Sequence, residues 1–192
     1  MHRLLELSVR DLLDETATAE PTPGGGALAA LTGAAAAAVV AMAARRSSDW
    51  DEAGAVVAQA ELLRKRLSEL APANVEVYER ALAALADAGR TGQGARDELL
   101  GQSLERAAAF PLQIADAASN VAELAALVAE KGAADARGDA AAAAMLALGA
   151  TRAAAHLVEI NLGVLDRDER LLRASRLAAD AAAAAARTLA SA

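Results

Sequence analysis

Three glycines in a row, Gly24 to Gly26, stand between Pro21-Thr22-Pro23 and a long run of small apolar residues. Each glycine loses more backbone freedom on folding than an alanine would, about 0.5–1 kcal/mol. A glycine run ahead of a helix leaves backbone N–H groups at the positive end of the helix dipole, where an anion or polar group can be held. The alternative is a tight connector between closely packed helices. No Gly-Lys-Ser/Thr follows, and no strand precedes, so the nucleotide P-loop is excluded. Asp139 follows Gly138 at the start of a second uncharged, alanine-rich run. It reads either as an N-cap or as a carboxylate able to move a proton or hold a cationic nitrogen. Asn161, in "VEINLGVL", lies among apolar neighbours and needs hydrogen-bond partners from the backbone or from a ligand amide. Tyr78 and His156 fall at helical spacing and read as core or interface residues. Arg45, Arg46, Arg137 and Arg152 read as solvated or paired; one near the glycines would neutralise an anionic ligand.

The composition removes several classes of function. Cysteine is absent, which excludes disulfides and thiolate chemistry. His2 and His156 cannot build a zinc site, and no His/Asp/Glu cluster has ligand spacing, so no metal is expected. Trp50, Tyr78 and Phe110 are the only aromatics, and the formal charge is −7. That combination speaks against single-strand stacking surfaces and against a basic nucleic-acid footprint. The first residues carry acids early and lack an apolar core segment, unlike a signal peptide. The expected location is the cytoplasm.

No strand-length window alternates β-branched and aromatic residues, and alanine, the best helix former, dominates. The chain therefore reads as one all-α domain over residues 1–192, a helical bundle with long kinked helices around alanine-rich central ones. Ser8 caps a short helix to about Thr18, with Leu12 and Leu13 inward. The uncharged segment Ala27 to Ala44 reaches the lower length of a membrane span. Its alanine content, Thr32, Gly33 and the closing Arg45-Arg46 fit a buried central helix better, and no membrane partner is expected. In "SSDWDEA", Asp49 and Glu52 resemble a capping box for a helix to about Leu70. Pro72 kinks or interrupts that helix, and a pattern resumes from Asn74 to Ala88. Gly89 to Gly94 reads as a loop. Ala95 to Lys131 is helical with a bend at Pro111, and Gly132 to Gly138 is a turn. Further helices span Asp139 to about Leu165 and about Asp168 to Leu189. Small residues at helical spacing, Ala30, Ala34, Ala37 and Ala41 and again Ala140, Ala144, Ala147 and Gly149, allow helix axes to approach closely. With few bulky residues to fill a monomer core, a homodimer or higher assembly is expected.

Taken together, the motifs resemble the C-terminal domain family of formiminotransferase-cyclodeaminase. "PTPGGGALAALTGAAAAAVVAMAA" is similar to the family's Pro-x-Pro-Gly-Gly-Gly segment and alanine-rich helix, with Met42 near its end. "AAAFPLQIA" with Pro111 and Leu112, "GDAAAAAMLA" with Asp139, and "VEINL" with Asn161 follow in the family's order. The resemblance runs from about Leu12 to Leu165. It implies a dimeric helical bundle acting on folates. The implied reaction is either of two: a cyclodeaminase expelling ammonia from 5-formiminotetrahydrofolate to give the 5,10-methenyl ring, or a methenyltetrahydrofolate cyclohydrolase opening that ring. The tetrahydrofolate derivative is then substrate, with no permanently bound cofactor. The resemblance makes Asp139 the catalytic acid and places Pro23, Gly24, Gly25, Gly26, Asn161 and Tyr78 along the substrate, the glycine amides facing the anionic glutamate tail. The chain departs from the family at Asn74, where the resemblance calls for an Asp, and at Gly138, where it calls for a Ser. Only two lysines, Lys65 and Lys131, are present. A formiminotransferase domain is not part of the sequence. A binder of another small anion and a non-catalytic helical dimer are the alternative readings.

Overall fold

The computed structural model describes residues 4–88, 93–162 and 168–190. Among them are six α-helices and two short 3-10 turns, and no strand. After a turn at Leu4–Glu6 come α1 (Val9–Thr16), α2 (Gly25–Arg45), α3 (Ala53–Ala88) and α4 (Gln93–Lys131). A second turn at Ala134–Ala136 leads to α5 (Arg137–Leu162), and α6 (Glu169–Ala190) closes the chain.

α2 is the axis of the bundle. It packs against α3, α4 and α5, and α6 lies across α4 and α5. Residue pairs fix the directions. Glu61, Leu67 and Asn74 of α3 meet Arg45, Gly33 and Gly26 of α2, so α3 runs antiparallel to it. Ala118 sits at Gly33 and Gly132 at Ser47, so α4 runs parallel. Asp139 meets Arg46, which makes α5 antiparallel. Arg173 pairs with Asp116, and Arg187 with Glu123 and Glu130, so α6 follows α4. From α2 onward the helices alternate in direction.

The centre is almost wholly alanine. Ala27, Ala30, Ala36, Ala37, Ala41, Ala43 and Ala44 of α2 are fully buried, facing Ala117, Ala125, Ala140, Ala144 and Ala147 of α4 and α5. Side chains this small let helices approach closely. Gly33 is a tight point midway along α2: a Cβ there would lie 3.1 Å from Leu67 Cδ1 and 3.4 Å from Ala118 Cβ. Leu67, Ile114 and Leu162 are the largest fully buried side chains. Three helices, residues 25–45, 108–131 and 134–162, are long and apolar enough to cross a membrane by length and composition. α2 is nonetheless packed against three others, as expected for a buried central helix.

Several local expectations need correction. α3 and α4 both include a proline, Pro72 and Pro111, and α3 is not interrupted at Pro72 but runs on as one helix. A mid-helix proline costs about 3 kcal/mol. Around Pro72, buried Leu67, Leu70, Ala71 and Val75 hold the helix on both sides. α1 has Ser8 as N-cap, its Oγ accepting from the Asp11 N–H at 3.1 Å. Only Leu12 turns inward there; Leu13 is 57% exposed. The cap of α3 is Glu52, whose carbonyl accepts from the N–H groups of Ala55 and Val56, and Asp49 lies in the preceding turn. α4 begins at Gln93, so the end of the Gly89–Gly94 segment is helical, and residues 89–92 lie outside the described residues. α5 begins at Arg137, which puts Asp139 in its first turn rather than at the cap.

Two expected outcomes follow. Leu67→Ala removes a fully buried side chain from the tight α2–α3 contact and should destabilise by about 2–5 kcal/mol, read by chemical denaturation; a change under about 1 kcal/mol would contradict the packing described. The second concerns Asp168, which caps α6. Its carboxylate accepts from the Arg170 side chain at 2.6 Å and from the Arg170 N–H at 2.8 Å. The side-chain bond foremost, then the backbone bond, lower its pKa to about 2. A depressed carboxylate stabilises the fold above its unfolded pKa, and that stabilisation is lost as pH falls through about 2. Carboxyl NMR titration should place Asp168 near that value in the wild type and back toward the ordinary carboxylate range in Arg170→Ala.

Candidate functional site

The segment Pro21 to Gly24 crosses the end of the bundle before the chain turns into α2. The Thr22–Pro23 peptide is cis. Thr22 Oγ1 donates to the Glu79 carboxylate at 3.0 Å, tying the segment to α3 across 57 positions of sequence. Gly24 is the N-cap of α2 and offers no side-chain cap. No described glycine has a positive φ, so backbone handedness does not account for the triplet. Space does. A Cβ on Gly24 would lie 3.0 Å from the Pro21 carbonyl oxygen. A Cβ on Gly26 would lie 2.3 Å from Asn74 Oδ1, inside contact distance. Above Gly25 there is open space.

That space is the floor of a cleft of about 370 Å³. Its floor is Gly24, Gly25 and Gly26. One wall is the second half of α3, with Asn74, Val75, Val77, Tyr78 and Leu82, and the other is the end of α5, with Leu157, Ile160 and Asn161. Pro21, Thr22 and Pro111 complete the rim. Five of the expected substrate residues, Gly24, Gly25, Gly26, Tyr78 and Asn161, are brought together here from three helices separated by up to 137 positions in the chain. Pro23 is not among them; it is buried beneath the segment. Tyr78 is 44% exposed, a cleft residue rather than a core one.

Asn74 is the residue whose cleft position the motifs missed. It appeared only as a departure from a family pattern; its contact with Gly26 could be anticipated only by knowing that α3 runs antiparallel to α2. The carboxamides of Asn74 and Asn161 and the hydroxyl of Tyr78 have no hydrogen-bond partner among the described residues. Polar groups in a mostly apolar cleft are poised for a ligand when nothing in the protein satisfies them. Among the described residues the lining carries no formal charge, cationic or anionic; the Glu79 carboxylate is bonded to Thr22 at the rim.

Asp139 is elsewhere. It lies where α5 meets the far end of α2, its carboxylate accepting from Arg46 at 3.2 Å while Arg46 also bonds Asp135 at 2.6 Å. α2 has 21 residues, about 30 Å at 1.5 Å per residue, between that cluster and the glycines. Within one chain the carboxylate and the cleft are therefore not in contact. The antiparallel course of α5 is the reason: its first turn and its last turn, which carry Asp139 and Asn161, fall at opposite ends of the bundle. His156 is exposed, 3.3 Å from Glu159, and does not line the cleft. Arg45 pairs with Glu61 at 2.8 Å. No group of three or more metal-ligating side chains occurs among the described residues.

Comparison with known proteins bears on the same features. No curated protein matches the chain at a significant level. Among solved structures, formiminotetrahydrofolate cyclodeaminase from Thermotoga maritima superposes with a TM-score of 0.85 at 25% identity, covering 98% of this chain and 96% of that one. Residues 8–186 match the sequence profile of the formiminotransferase-cyclodeaminase family. The match takes in the proline-glycine segment and every helix that lines the cleft, and the chain belongs to the formiminotransferase-cyclodeaminase family.

Proposed function

We propose that the protein is a folate-dependent one-carbon enzyme, either a cyclodeaminase forming 5,10-methenyltetrahydrofolate or a cyclohydrolase opening it. The observation that carries the reading is the cleft, where the glycine floor, Tyr78, Asn74 and Asn161 present unpartnered polar groups between apolar walls. The structural likeness to a formiminotetrahydrofolate cyclodeaminase supports the substrate class. Both reactions need a proton moved near an amidine-like or iminium carbon, and a carboxylate suits this by relaying the proton and stabilising the positive charge. Asp139 is the residue assigned that role.

For Asp139 to reach a cleft, a second protomer must supply it. α2 and α5 pack side by side, and each leaves an uncharged row exposed or half-buried. On α2 the row is Leu28, Leu31, Ala35, Ala38, Val39 and Met42; on α5 it includes Met145, Leu146 and Gly149. In the proposed dimer the two-fold axis runs perpendicular to these helices, so each pairs antiparallel with its counterpart. The glycine end of one α2 then meets the Arg46–Asp139 end of the other. The proposed enzyme is thus a cytoplasmic homodimer in which each cleft receives the partner subunit's Asp139. The Arg46 guanidinium, carried along, would face the anionic tail of the folate.

The expected result is a change in methenyl absorbance, above the buffer rate, with 5-formiminotetrahydrofolate or with 5,10-methenyltetrahydrofolate. Asp139→Asn should lower that rate by about 10²–10⁴-fold. It should leave stability within about 1 kcal/mol, because the Arg46 pair is solvent-exposed. Gly25→Val, which fills the open floor, should also abolish turnover. The two inactive variants mixed in equal amounts should recover about a quarter of the wild-type rate, since half the dimers formed at random have one intact site. No recovery in a mixture shown to exchange subunits would remove the shared site. A wild-type rate no greater than buffer with either substrate would remove the folate-enzyme reading and leave a ligand binder or a non-catalytic helical dimer. Sedimentation should give a dimer that Ala38→Glu dissociates.

A further inference from the structure

We infer that the cleft takes the fused pyrimidinone ring of a folate rather than its glutamate tail, and that Asn74 reads the O4/N3–H lactam edge of that ring. The inference rests on the folate reading above and specifies which half of the molecule the cleft recognises. The tail carries carboxylates, and the described lining has no cation to receive them. At the rim the Glu79 carboxylate, bonded to Thr22, would oppose them. The pyrimidinone ring is planar and uncharged, and its polar edge carries a carbonyl beside an N–H. A carboxamide carries the complementary N–H and carbonyl in one plane, so a single side chain makes both bonds. The apolar faces of such a ring suit the walls formed by Val75, Val77, Leu157 and Ile160.

Two features single out Asn74 within the cleft. Among the described residues its carboxamide has no partner, so it is available to a ligand without first breaking a bond. Its position also depends on Gly26: Oδ1, Cγ and Nδ2 all lie within 3.0 Å of where a Gly26 Cβ would be. Only glycine at 26 lets the side chain lie across the start of α2. Gly26 is therefore a positioning residue for Asn74.

The test uses pterin as the ring half, p-aminobenzoyl-L-glutamate as the tail half, and 3-methylpterin, whose lactam N–H is blocked. Pterin fluorescence reports binding. Pterin should bind and compete with folic acid, while p-aminobenzoyl-L-glutamate should not displace pterin. Asn74→Leu should weaken pterin roughly tenfold, the net effect of two hydrogen bonds, and leave the weaker binding of 3-methylpterin unchanged. Gly26→Ala, which keeps a good helix former and displaces the carboxamide, should show the same selective loss. Circular dichroism confirms that both variants are folded. Folic acid displaced by the tail half and not by pterin would overturn the inference while leaving the folate reading standing. Equal weakening of pterin and 3-methylpterin by Asn74→Leu would overturn the role of Asn74. If neither folic acid nor pterin binds, the folate reading fails and takes the inference with it.

Discussion

The fold depends on how closely α2 is approached by its neighbours. Apart from Val40, its buried surface is made of alanine and glycine, so α3, α4 and α5 converge on a helix with little side-chain bulk. Gly33 against Leu67 and Ala118 is a narrow contact, with no room for a further methyl group without displacement. Hydrophobic stabilisation per residue is small for alanine. It is compensated by the number of residues engaged and by the dispersion contacts that close packing allows. The larger side chains, Leu67, Ile114 and Leu162, sit around this axis rather than in it.

A bundle packed this tightly has little interior space for a ligand, so chemistry is displaced to the helix ends. The two ends of α2 are built differently. At the start, the Pro21–Gly24 segment folds across the bundle and leaves an apolar cleft with neutral polar groups. At the finish, charge collects: Arg46 bonds Asp135 and Asp139. Nearby, Ser47 Oγ donates to the Ala43 carbonyl and accepts from the Ala133 N–H, fastening the turn between α4 and α5. Binding groups and charged groups are thus separated by the length of one helix. Antiparallel pairing of protomers is the arrangement that would reunite them.

Much of this was legible in the residues. The all-α class followed from alanine content and the absence of alternation, and the glycine floor and Asn161 followed from motif types. Where the reading went astray, a tertiary effect outweighed a local one. Burial of Leu70 and Val75 carries α3 through Pro72, against the proline's own preference. Leu13 looks as apolar as Leu12, yet α1 is too peripheral to bury both. Glu52 takes the cap that Asp49 was expected to fill because turns closed by the Ser47 and Trp50 carbonyls delay the start of the helix by three residues. The site was only half legible for a related reason. Residue types name candidates, but their grouping depends on helix direction, which separates Asp139 from the glycines and brings Asn74 onto Gly26.

The alanine-rich axis also sets an unusual pattern of mutational risk. In an ordinary core the common injury is truncation, which leaves a cavity. An alanine core has almost nothing to truncate, so the injurious direction is enlargement. A change from alanine to valine, conservative in most cores, inserts two carbons between helices that have no slack. Drift at the buried alanine and glycine positions of α2 is then confined to alanine, glycine and serine, with Val40 the one larger residue on that face. Adjustments of ligand preference must accumulate at Asn74, Tyr78 and Leu82, where α3 faces open space rather than another helix. The scaffold and the cleft can therefore diverge at different rates within one short chain.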